Sequence, residues 1–359
     1  MTKTETPASK TKRRREFLQG LGAGFAGIVT GTTAVPARAQ PTAAQLAPLK
    51  VIDFHNHFVG PAFTPIVGAG APAARRAYFD AVNRNLADSQ ALLGSIEAAG
   101  VAARVVNTPL EFIQDPEGEI APSTVMRIND QLAELVSRNS GRLYGLATVD
   151  AYSGEGGARE LTRAVRELNL RGVFVQAAKN ELFLDAAEAR PTLAAAASLG
   201  VPVFVHPITD SQLRKRFGRY GRPGVTLNRS TINSAALIAL LEGTTFDELP
   251  NLHVVVTTLA IGTILLAAGL DGDSRLRHDA PELRRWHIYI DTMGLHPVLI
   301  RSAVDILGAD HVLAGTDWPI YVEKQIPERL QHALTACGLN AADQELVAGG
   351  NVAKLLGIV

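Results

Sequence analysis

Short runs of apolar residues alternate along this chain with longer stretches in which apolar residues recur every three or four positions. The short runs are typical of buried strands, and the longer stretches are typical of amphipathic helices. Strands are predicted at Val51–His55, Val101–Asn107, Leu143–Val149, Gly172–Gln176, Val201–His206, His253–Thr258, Ile288–Asp291 and Val312–Asp317. Helices are predicted at Asp88–Ala99, Ser123–Arg138, Gly156–Leu168, Arg190–Leu199, Ser230–Leu241, Pro297–Leu307 and Ile326–Cys337.

The strict alternation of these elements predicts parallel βαβ units with right-handed crossovers. The strands are almost continuously apolar, as expected when both faces of a sheet are covered. Eight such units fit a (β/α)8 TIM barrel, an α/β fold, better than a doubly wound sheet. No G-x-G-x-x-G motif opens the first unit, which further disfavours a dinucleotide-binding fold.

Two segments are longer than a minimal barrel needs. They run from Gly60 to Ala87 after the first strand and from Ile208 to Ser230 after the fifth. Barrel active sites are built from the loops that follow the carboxyl ends of strands. We therefore expect these two insertions to form a lid or a substrate pocket.

Polar residues close three of the predicted strands. His55 and His57 follow the first apolar run, His206 closes the fifth and Asp317 the eighth. In a barrel these strand ends converge on one rim, and three imidazoles with one carboxylate are suitable ligands for Zn²⁺, while Mn²⁺ and Fe²⁺ also accept them. Because alternate residues of a strand share a face, Asp53 is expected to project on the same side as the two histidines.

The first 39 residues are predicted to be an export signal. Lys12-Arg13-Arg14-Arg15-Glu16-Phe17-Leu18 precedes a glycine-rich uncharged segment, Gly20 to Val35, and Ala37-Arg38-Ala39 forms a cleavage site. This order is that of an export signal, and the paired arginines resemble the twin-arginine type. The segment is too short and too polar to favour spanning a bilayer. We expect residues 40–359 to form a single barrel domain that is exported to the periplasm.

Composition places the mature chain among soluble globular enzymes. The chain is 47% apolar and 19% charged, and without residues 1–39 it holds 28 basic and 33 acidic side chains, a net charge of −5. A mildly acidic body without a basic stripe disfavours nucleic acid as a partner. Cys337 is the only cysteine, so no intramolecular disulfide forms.

Several segments spread over the mature chain resemble the amidohydrolase-related branch of the amidohydrolase superfamily. They are similar to segments of aminocarboxymuconate-semialdehyde decarboxylase and of γ-resorcylate-type decarboxylases. The matching segments are Asp53-Phe-His-Asn-His57, Gly141-Arg-Leu-Tyr-Gly-Leu-Ala147, Arg171-Gly-Val-Phe-Val175, Leu184-Asp185, Leu199-Gly-Val-Pro-Val-Phe-Val-His-Pro207, Leu249-Pro-Asn-Leu252, Asp291-Thr-Met-Gly294 and Gly315-Thr-Asp-Trp-Pro319. The resemblance implies a distorted barrel, one divalent metal held by His55, His57, His206 and Asp317, and an acid-substituted planar or dienyl substrate.

The sequence departs from the family at the end of the sixth strand. There the family has a histidine that works as acid and base beside the metal, whereas this chain has Thr258. A threonine hydroxyl does not hold a proton reversibly near neutral pH. His253, His287 and His311 precede or begin strands and should lie at the opposite rim, which leaves His296 as the one other histidine able to reach the site.

Three functions stay open at this point. The leading hypothesis is metal-dependent, non-oxidative decarboxylation, with Asp317 and Thr258 as candidate catalytic residues. The alternatives are hydrolysis of a small lactone or amide, and a binding protein that has lost turnover. Arg75, Arg76 and Arg229 lie in or beside the insertions and are candidate partners of a substrate carboxylate. The resemblance also allows a homodimer, since related decarboxylases often dimerise.

Overall fold

Parallel strands and helices alternate along the part of the chain that the computed structural model describes, residues 48–114, 119–269 and 284–358. The predicted export signal, residues 1–39, lies outside these ranges. The described strands are β1 (Ile52–His57), β2 (Ala103–Asn107), β3 (Leu143–Gly145), β4 (Ala147–Thr148), β5 (Val173–Gln176), β6 (Ala178–Lys179), β7 (Leu182–Phe183), β8 (Val203–His206), β9 (Val254–Val256), β10 (Ile288–Asp291) and β11 (Val312–Leu313). The α-helices span Arg76–Ala87, Ser89–Ala99, Pro122–Arg138, Glu155–Arg166, Arg190–Leu199, Ser211–Phe217, Arg222–Glu242, Thr245–Glu248, Ile261–Gly269, Pro297–Leu307, Ile326–Ala336, Ala341–Glu345 and Asn351–Leu355.

Two parallel sheets supply the wall of the barrel. One has the strand order β1-β2-β3 and the other the order β11-β10-β9-β8-β5-β4. β3 and β4 are two halves of one strand, interrupted at Leu146, and they join the two sheets. The backbone N–H of Leu146 donates to Val106 O on one side at 2.9 Å, and that of Ala147 donates to Gly172 O on the other side at 2.8 Å.

The second seam lies between β1 and the segment that follows β11. The N–H of Phe54 donates to Ala314 O at 2.8 Å, and the N–H of His57 donates to Trp318 O at 2.8 Å. Asn56 and Trp318 also form an isolated parallel bridge. The eight barrel strands are therefore β1, β2, β3/β4, β5, β8, β9, β10 and β11, in chain order around a ring whose last seam is made by a few hydrogen bonds instead of a full ladder.

The α/β barrel predicted from the sequence is confirmed, with small differences in the bounds. The eighth strand keeps ladder pairing only over Val312–Leu313, because the chain then bends toward β1. A short antiparallel hairpin, β6–β7, follows the fourth barrel strand and was not predicted. The helix expected to start at Ser230 begins at Arg222, since Pro223 in its first turn suits a helix start.

Apolar side chains fill the barrel and the layer between barrel and helices. Inside the barrel, Phe54, Phe174 and Phe204 pack with Val105, Val255 and Leu313. Outside it, the opposite faces of the same strands pack against the helices. This covering of both faces explains why the strands are apolar throughout.

The two predicted insertions lie at the carboxyl ends of the first and fifth barrel strands. The first contains the helix Arg76–Ala87, anchored by the buried Val82 and Leu86. The second contains the helix Ser211–Phe217 and the first turns of Arg222–Glu242. Both reach the loop after the eighth strand, because Tyr78 Oη donates to Ile320 O at 2.6 Å and Arg222 Nη2 donates to Tyr321 Oη at 2.7 Å.

All described residues belong to one compact unit, Ala47–Val359. None of the helices in the described ranges has the length and apolar character that a bilayer span requires.

Candidate metal centre

Four side chains converge at the carboxyl ends of the barrel strands. One potential ligand atom from each of His55, His57, His206 and Asp317 lies within 4.8 Å of the others, and all four residues are buried. The Nε2 atoms of His55 and His57 are 3.1 Å apart. Asp317 Oδ1 lies 3.1 Å from His57 Nε2 and 3.5 Å from His55 Nε2. The structure thus brings together the four residues that the sequence predicted as metal ligands.

An irregularity in β1 turns both histidines into the barrel. The pairing of β1 with β2 shifts between Asp53 and Asn56. As a result the consecutive residues Phe54 and His55 both contact the Phe204 ring, at centroid distances of 5.2 and 4.9 Å. Alternation of faces is broken at this bulge. The prediction that Asp53 projects beside the histidines is therefore wrong, because Asp53 faces away from the ligand group.

Asp53 instead holds the segment that presents Asp317. Its carboxylate pairs with Arg104 and accepts hydrogen bonds from Thr316 Oγ1 at 2.6 Å and from the Thr316 backbone N–H at 3.0 Å. The next residue, Asp317, has φ of 65° and donates its backbone N–H to His55 O at 2.8 Å. This left-handed conformation is uncommon for a residue with a side chain. Bonds on both sides of the turn hold it in place.

The ring nitrogens that face away from the ligand group have fixed partners. His55 Nδ1 donates to Asp291 Oδ2 at 2.6 Å, and His57 Nδ1 donates to Asn107 Oδ1 at 2.8 Å. A proton on each Nδ1 leaves each Nε2 with a lone pair directed at the other. The role of Asn107 and Asp291 was not predicted. Both residues are the last of their strands, β2 and β10. Polar residues at strand ends were the signal that identified the ligands, and the same signal would have identified these two residues.

Burial and neighbouring charges shift the pKa values of the three histidines. Burial lowers the pKa of His206 well below its usual value, and the nearby His57 and Arg229 lower it further. Burial also lowers the pKa of His57. Burial by itself lowers the pKa of His55, but the Asp317 and Asp291 carboxylates outweigh it and raise that pKa. These shifts favour the neutral imidazole at His57 and His206, which is the form that binds metals.

A divalent cation fits this donor set. The atoms His55 Nε2, His57 Nε2 and Asp317 Oδ1 lie 3.1–3.5 Å from one another. Atoms about 2.0 Å from a tetrahedral ion lie about 3.3 Å apart, which is close to these separations. His206 Nδ1 and Asp317 Oδ1 are also buried without a hydrogen-bond partner among the described residues. A divalent cation bound here would give these atoms a common partner.

Comparison with known proteins agrees with this geometry. A family model described as Amidohydrolase matches residues 52–358. The chain belongs to this amidohydrolase family. It is 23% identical over 290 residues to 2-amino-3-carboxymuconate-6-semialdehyde decarboxylase of Dictyostelium discoideum, covering 78% of this chain and 80% of the relative. It is 25% identical over 256 residues to γ-resorcylate decarboxylase of Polaromonas sp., covering 66% and 76%. The predicted family resemblance is confirmed.

A solved structure shows the same fold as this amidohydrolase. It is that of a dihydroxybenzoic acid decarboxylase from Polaromonas sp., with bound manganese and the inhibitor 2-nitroresorcinol. Its TM-score is 0.69 at 20% sequence identity, and the match covers 86% of this chain and 97% of that one.

Thr258 does not contact the ligand group directly but is linked to it through Asp291. Its backbone N–H donates to Asp291 Oδ1 at 2.8 Å, and its hydroxyl lies 2.9 Å from the same oxygen and 2.5 Å from Asp291 O. Asp291 in turn bonds His55. The hydroxyl is therefore used in holding Asp291, and Thr258 stands behind the metal ligands instead of among them.

No other described histidine takes the place of the family's acid–base residue. His253 Nδ1 donates to Trp286 O at 3.1 Å, and His287 and His311 bond backbone carbonyls at 2.7 and 2.8 Å. All three lie at or before the amino ends of their strands, as expected. His296 is exposed at the start of the helix Pro297–Leu307 and is not part of the ligand group.

The three predicted substrate arginines lie in different surroundings. Arg229 is half-buried near His206, and its Nη1 bonds Glu111 Oε1 at 2.8 Å. Arg75 lies over the rings of Tyr78 and Phe79, at 5.1 and 4.8 Å. Arg76 is exposed, and no hydrogen bond or ion pair joins it to the ligand group within the described residues.

Four residues that were not predicted also lie near the ligand group or the loop that follows Asp317. Burial raises the pKa of Tyr78, and the Asp317 carboxylate raises it further, while Arg75 and Arg222 oppose the rise. The Arg222 guanidinium lies 5.1 Å over the Tyr321 ring. Glu111, only 7% exposed, has its Oε1 3.8 Å from His206 Nδ1. These four residues were not predicted from the sequence, because none of them closes a barrel strand and their approach to the site depends on how the insertions and loops fold.

Proposed function

We propose that this amidohydrolase binds one divalent metal through His55, His57, His206 and Asp317 and catalyses non-oxidative decarboxylation of a small aromatic or dienyl carboxylic acid. The observation that carries the proposal is the convergence of these four ligand atoms within 4.8 Å at the barrel rim. The named relatives over most of the chain are decarboxylases, which supports this chemistry over the hydrolysis of a lactone or amide.

The identity of the metal is a separate part of the proposal. A set of three imidazoles and one carboxylate favours Zn²⁺, while manganese is bound in the similar solved structure. We therefore take Zn²⁺ and Mn²⁺ as the two candidates. When bound, either ion would act as a Lewis acid that holds and polarises oxygens of the substrate.

Asp317 is the group proposed to deliver the proton. The reaction breaks the bond between the carboxylate carbon and the ring or chain carbon, releases CO₂ and leaves an electron pair on that carbon. A proton must fill this position, and Asp317 is the carboxyl group that lies in the ligand group and is 9% exposed. Asp317 would take up this proton from solvent at the rim before it passes the proton to the carbon.

Arginine side chains lie on two sides of the ligand group, where they are available to bind charged groups of a substrate. Arg229 lies beside His206, and Arg75 and Arg222 lie beside Tyr78 and Tyr321 near Asp317. Tyr78 and Tyr321 offer apolar ring faces together with a polar tip, which suits a planar acid. Of the predicted arginines, we retain Arg229 and Arg75 as substrate partners, and we add Arg222.

A binding protein without turnover is the second candidate, and one observation favours it. Thr258 stands where the family's acid–base histidine is expected, and its hydroxyl is bonded to Asp291. Loss of a positioned acid or base typically removes about 10²–10⁴-fold in rate. In this case the protein would bind metal and the acid tightly but release no CO₂.

Export to the periplasm is also a proposal. The support is the twin-arginine pattern at Arg14-Arg15 followed by the cleavage pattern at Ala37-Arg38-Ala39. A fusion of residues 1–39 to a reporter that is active only after export tests it. We also propose that the mature protein forms a homodimer, for which light scattering of the purified protein is the measurement.

The test of function uses residues 40–359 loaded with Zn²⁺ or Mn²⁺ and panels of aromatic acids, dienyl acids and lactones. The expected result is one metal per chain and stoichiometric CO₂ release from an acid of the first two panels. Metal and ligand binding without product would support the binding protein. Lactone hydrolysis without CO₂ release, or a protein that refuses metal, would contradict the proposal.

A further inference from the structure

Buried polar atoms without a partner gather at the carboxyl ends of the barrel strands. Of the seven such side-chain atoms within the described residues, four lie there. They are Asn107 Nδ2, Gln176 Nε2, His206 Nδ1 and Asp317 Oδ1. Leaving a buried polar atom unpaired costs free energy, so each one needs an explanation. A bound metal would engage Asp317 Oδ1, and His206 Nδ1 lies 3.8 Å from Glu111 Oε1. The two amide nitrogens remain to be explained.

Gln176 ends β5 and lies directly beside a proposed metal ligand. In the register of β5 and β8, Gln176 pairs with His206. Neighbouring strands are about 4.8 Å apart, and paired residues point to the same face. Phe174, two residues earlier on that face, contacts the His57 and His206 rings at centroid distances of 6.2 and 5.1 Å. The Gln176 side chain therefore points into the barrel at the level of the ligand group, and it is 8% exposed.

Two other polar side chains on this side of the barrel each have a hydrogen-bond partner, although Asn107 Nδ2 has none within the described residues. Asn107 is fixed by the hydrogen bond from His57 Nδ1 to its Oδ1. Arg229 Nη1 is bonded to Glu111 at 2.8 Å. Gln176 Nε2 has no partner in the described part of the chain.

Gln176 and Asp317 stand on opposite sides of the ring. Gln176 closes the fourth barrel strand and Asp317 follows the eighth, so half of the ring separates them. A planar molecule held between them would present one edge to the Asp317 carboxylate and the other to the Gln176 amide. An amide N–H₂ donates, so the edge beside Gln176 must carry an oxygen that accepts.

We propose that Gln176 is a specificity-determining residue that donates its amide hydrogen bond to an oxygen of the substrate, and this rests on the proposed function. The substrate class is thereby narrowed to acids that present an acceptor oxygen, from the carboxylate or from a ring substituent, to the side of the site opposite Asp317. A substrate without such an oxygen leaves the buried amide unpaired and is rejected.

The test measures ligand binding first, so it does not depend on turnover. Gln176→Met, Gln176→Glu and wild-type protein are loaded with metal and titrated with 2-nitroresorcinol and with nitrobenzene, which lacks the hydroxyls. Gln344→Met is the control, because Gln344 is a buried glutamine whose amide bonds Leu339 O at 2.9 Å away from the ligand group. Metal content and melting temperature are recorded for every variant.

Gln176→Met is expected to weaken binding of 2-nitroresorcinol by about tenfold, the effect of one lost hydrogen bond to a ligand, with metal content unchanged. Gln176→Glu should weaken it more, because a carboxylate repels an anionic ligand. If Gln176→Met loses the same affinity for nitrobenzene, the contact is made by the nitro oxygens, which stand for the substrate carboxylate. If affinity is lost for 2-nitroresorcinol alone, the contact is made by a hydroxyl. Gln344→Met should lower stability and leave binding unchanged.

Kinetics supply the second readout if wild-type protein releases CO₂. The Gln176 variants should then raise KM more than they lower kcat, since the contact is made in the bound substrate. Binding by Gln176→Met within twofold of wild type would overturn the proposal. A wild-type protein that binds the ligand without turnover would contradict the decarboxylase and leave this test of Gln176 intact.

Discussion

Asp291 accepts a hydrogen bond from His55 Nδ1 at 2.6 Å, and the two side chains are almost completely buried. The pair orients the imidazole so that its Nε2 faces the ligand group. A carboxylate behind a metal-binding histidine also makes the imidazole a stronger ligand. The bond therefore links the seventh strand to a metal centre whose proposed ligands come from strands one, five and eight.

Replacing this carboxylate should weaken metal binding. Asp291→Asn keeps the shape of the side chain but removes the charge behind His55, so the metal dissociation constant is expected to rise about 10–100-fold. Competition with a chromophoric chelator measures it. Asp305→Asn is the matched control, because Asp305 is half-exposed and pairs with Arg301 on a helix surface. Equal affinities of Asp291→Asn and Asp305→Asn would show that Asp291 does not support the metal.

Thr258 is expected to behave as a positioning residue. Thr258→Val removes the hydroxyl that bonds Asp291 and should cost about 0.5–1.5 kcal/mol of unfolding free energy, with a modest loss of metal affinity. Thr258→Ser keeps the hydroxyl and should restore most of both. Urea denaturation and chelator competition are the measurements. If Thr258→Val instead lost all activity with stability and affinity unchanged, Thr258 would take part in the chemistry directly.

The main parts of the fold and the proposed ligands could be predicted because each depends on a local pattern. Apolar runs such as Val201–His206 identify buried strands, and polar residues at their ends must meet at one rim. The bulge in β1 could not be predicted, because nothing in the composition of Asp53-Phe54-His55 marks where alternation breaks. Two-residue periodicity consequently assigned Asp53 to the wrong face.

The rim of the site was predicted least well. Tyr78, Arg222 and Tyr321 meet only because two insertions fold over the loop after the eighth strand. Such contacts depend on loop conformation, which tertiary packing decides. Gln176 is a different case, because it is the last residue of a strand and could have been selected as a polar strand end. It was not selected, because a single amide does not suggest a metal ligand.

Removal of the metal should lower the thermal stability of the mature protein. A ligand that binds only the folded state stabilises it by about 2.7 kcal/mol at a concentration 100 times its dissociation constant. Dialysis against a chelator should therefore lower Tm, and added Zn²⁺ or Mn²⁺ should restore it. Calorimetry of the treated and reloaded protein is the measurement. His206→Ala is the comparison, and its Tm should no longer respond to metal.

The pair formed by Asp53 and Arg104 should be essential to the fold around Asp317. Both side chains are at most 1% exposed, and the Asp53 carboxylate also anchors Thr316. Arg104→Met leaves a buried carboxylate without its cation and is expected to cost about 3–5 kcal/mol. Because Asp53 holds the turn of Asp317, metal affinity should fall as well.

A double-mutant cycle separates the pair from the packing of each side chain. Asp53→Asn combined with Arg104→Met removes both charges, so the double variant should be more stable than Arg104→Met alone. Asp53→Asn retains one acceptor oxygen for Thr316, and its metal affinity should stay above that of Arg104→Met. Urea denaturation gives the stabilities and chelator competition the affinities. Strictly additive losses of stability would show that the two charges do not stabilise each other, and the positioning of Asp317 would then rest on the hydrogen bonds of Thr316 alone.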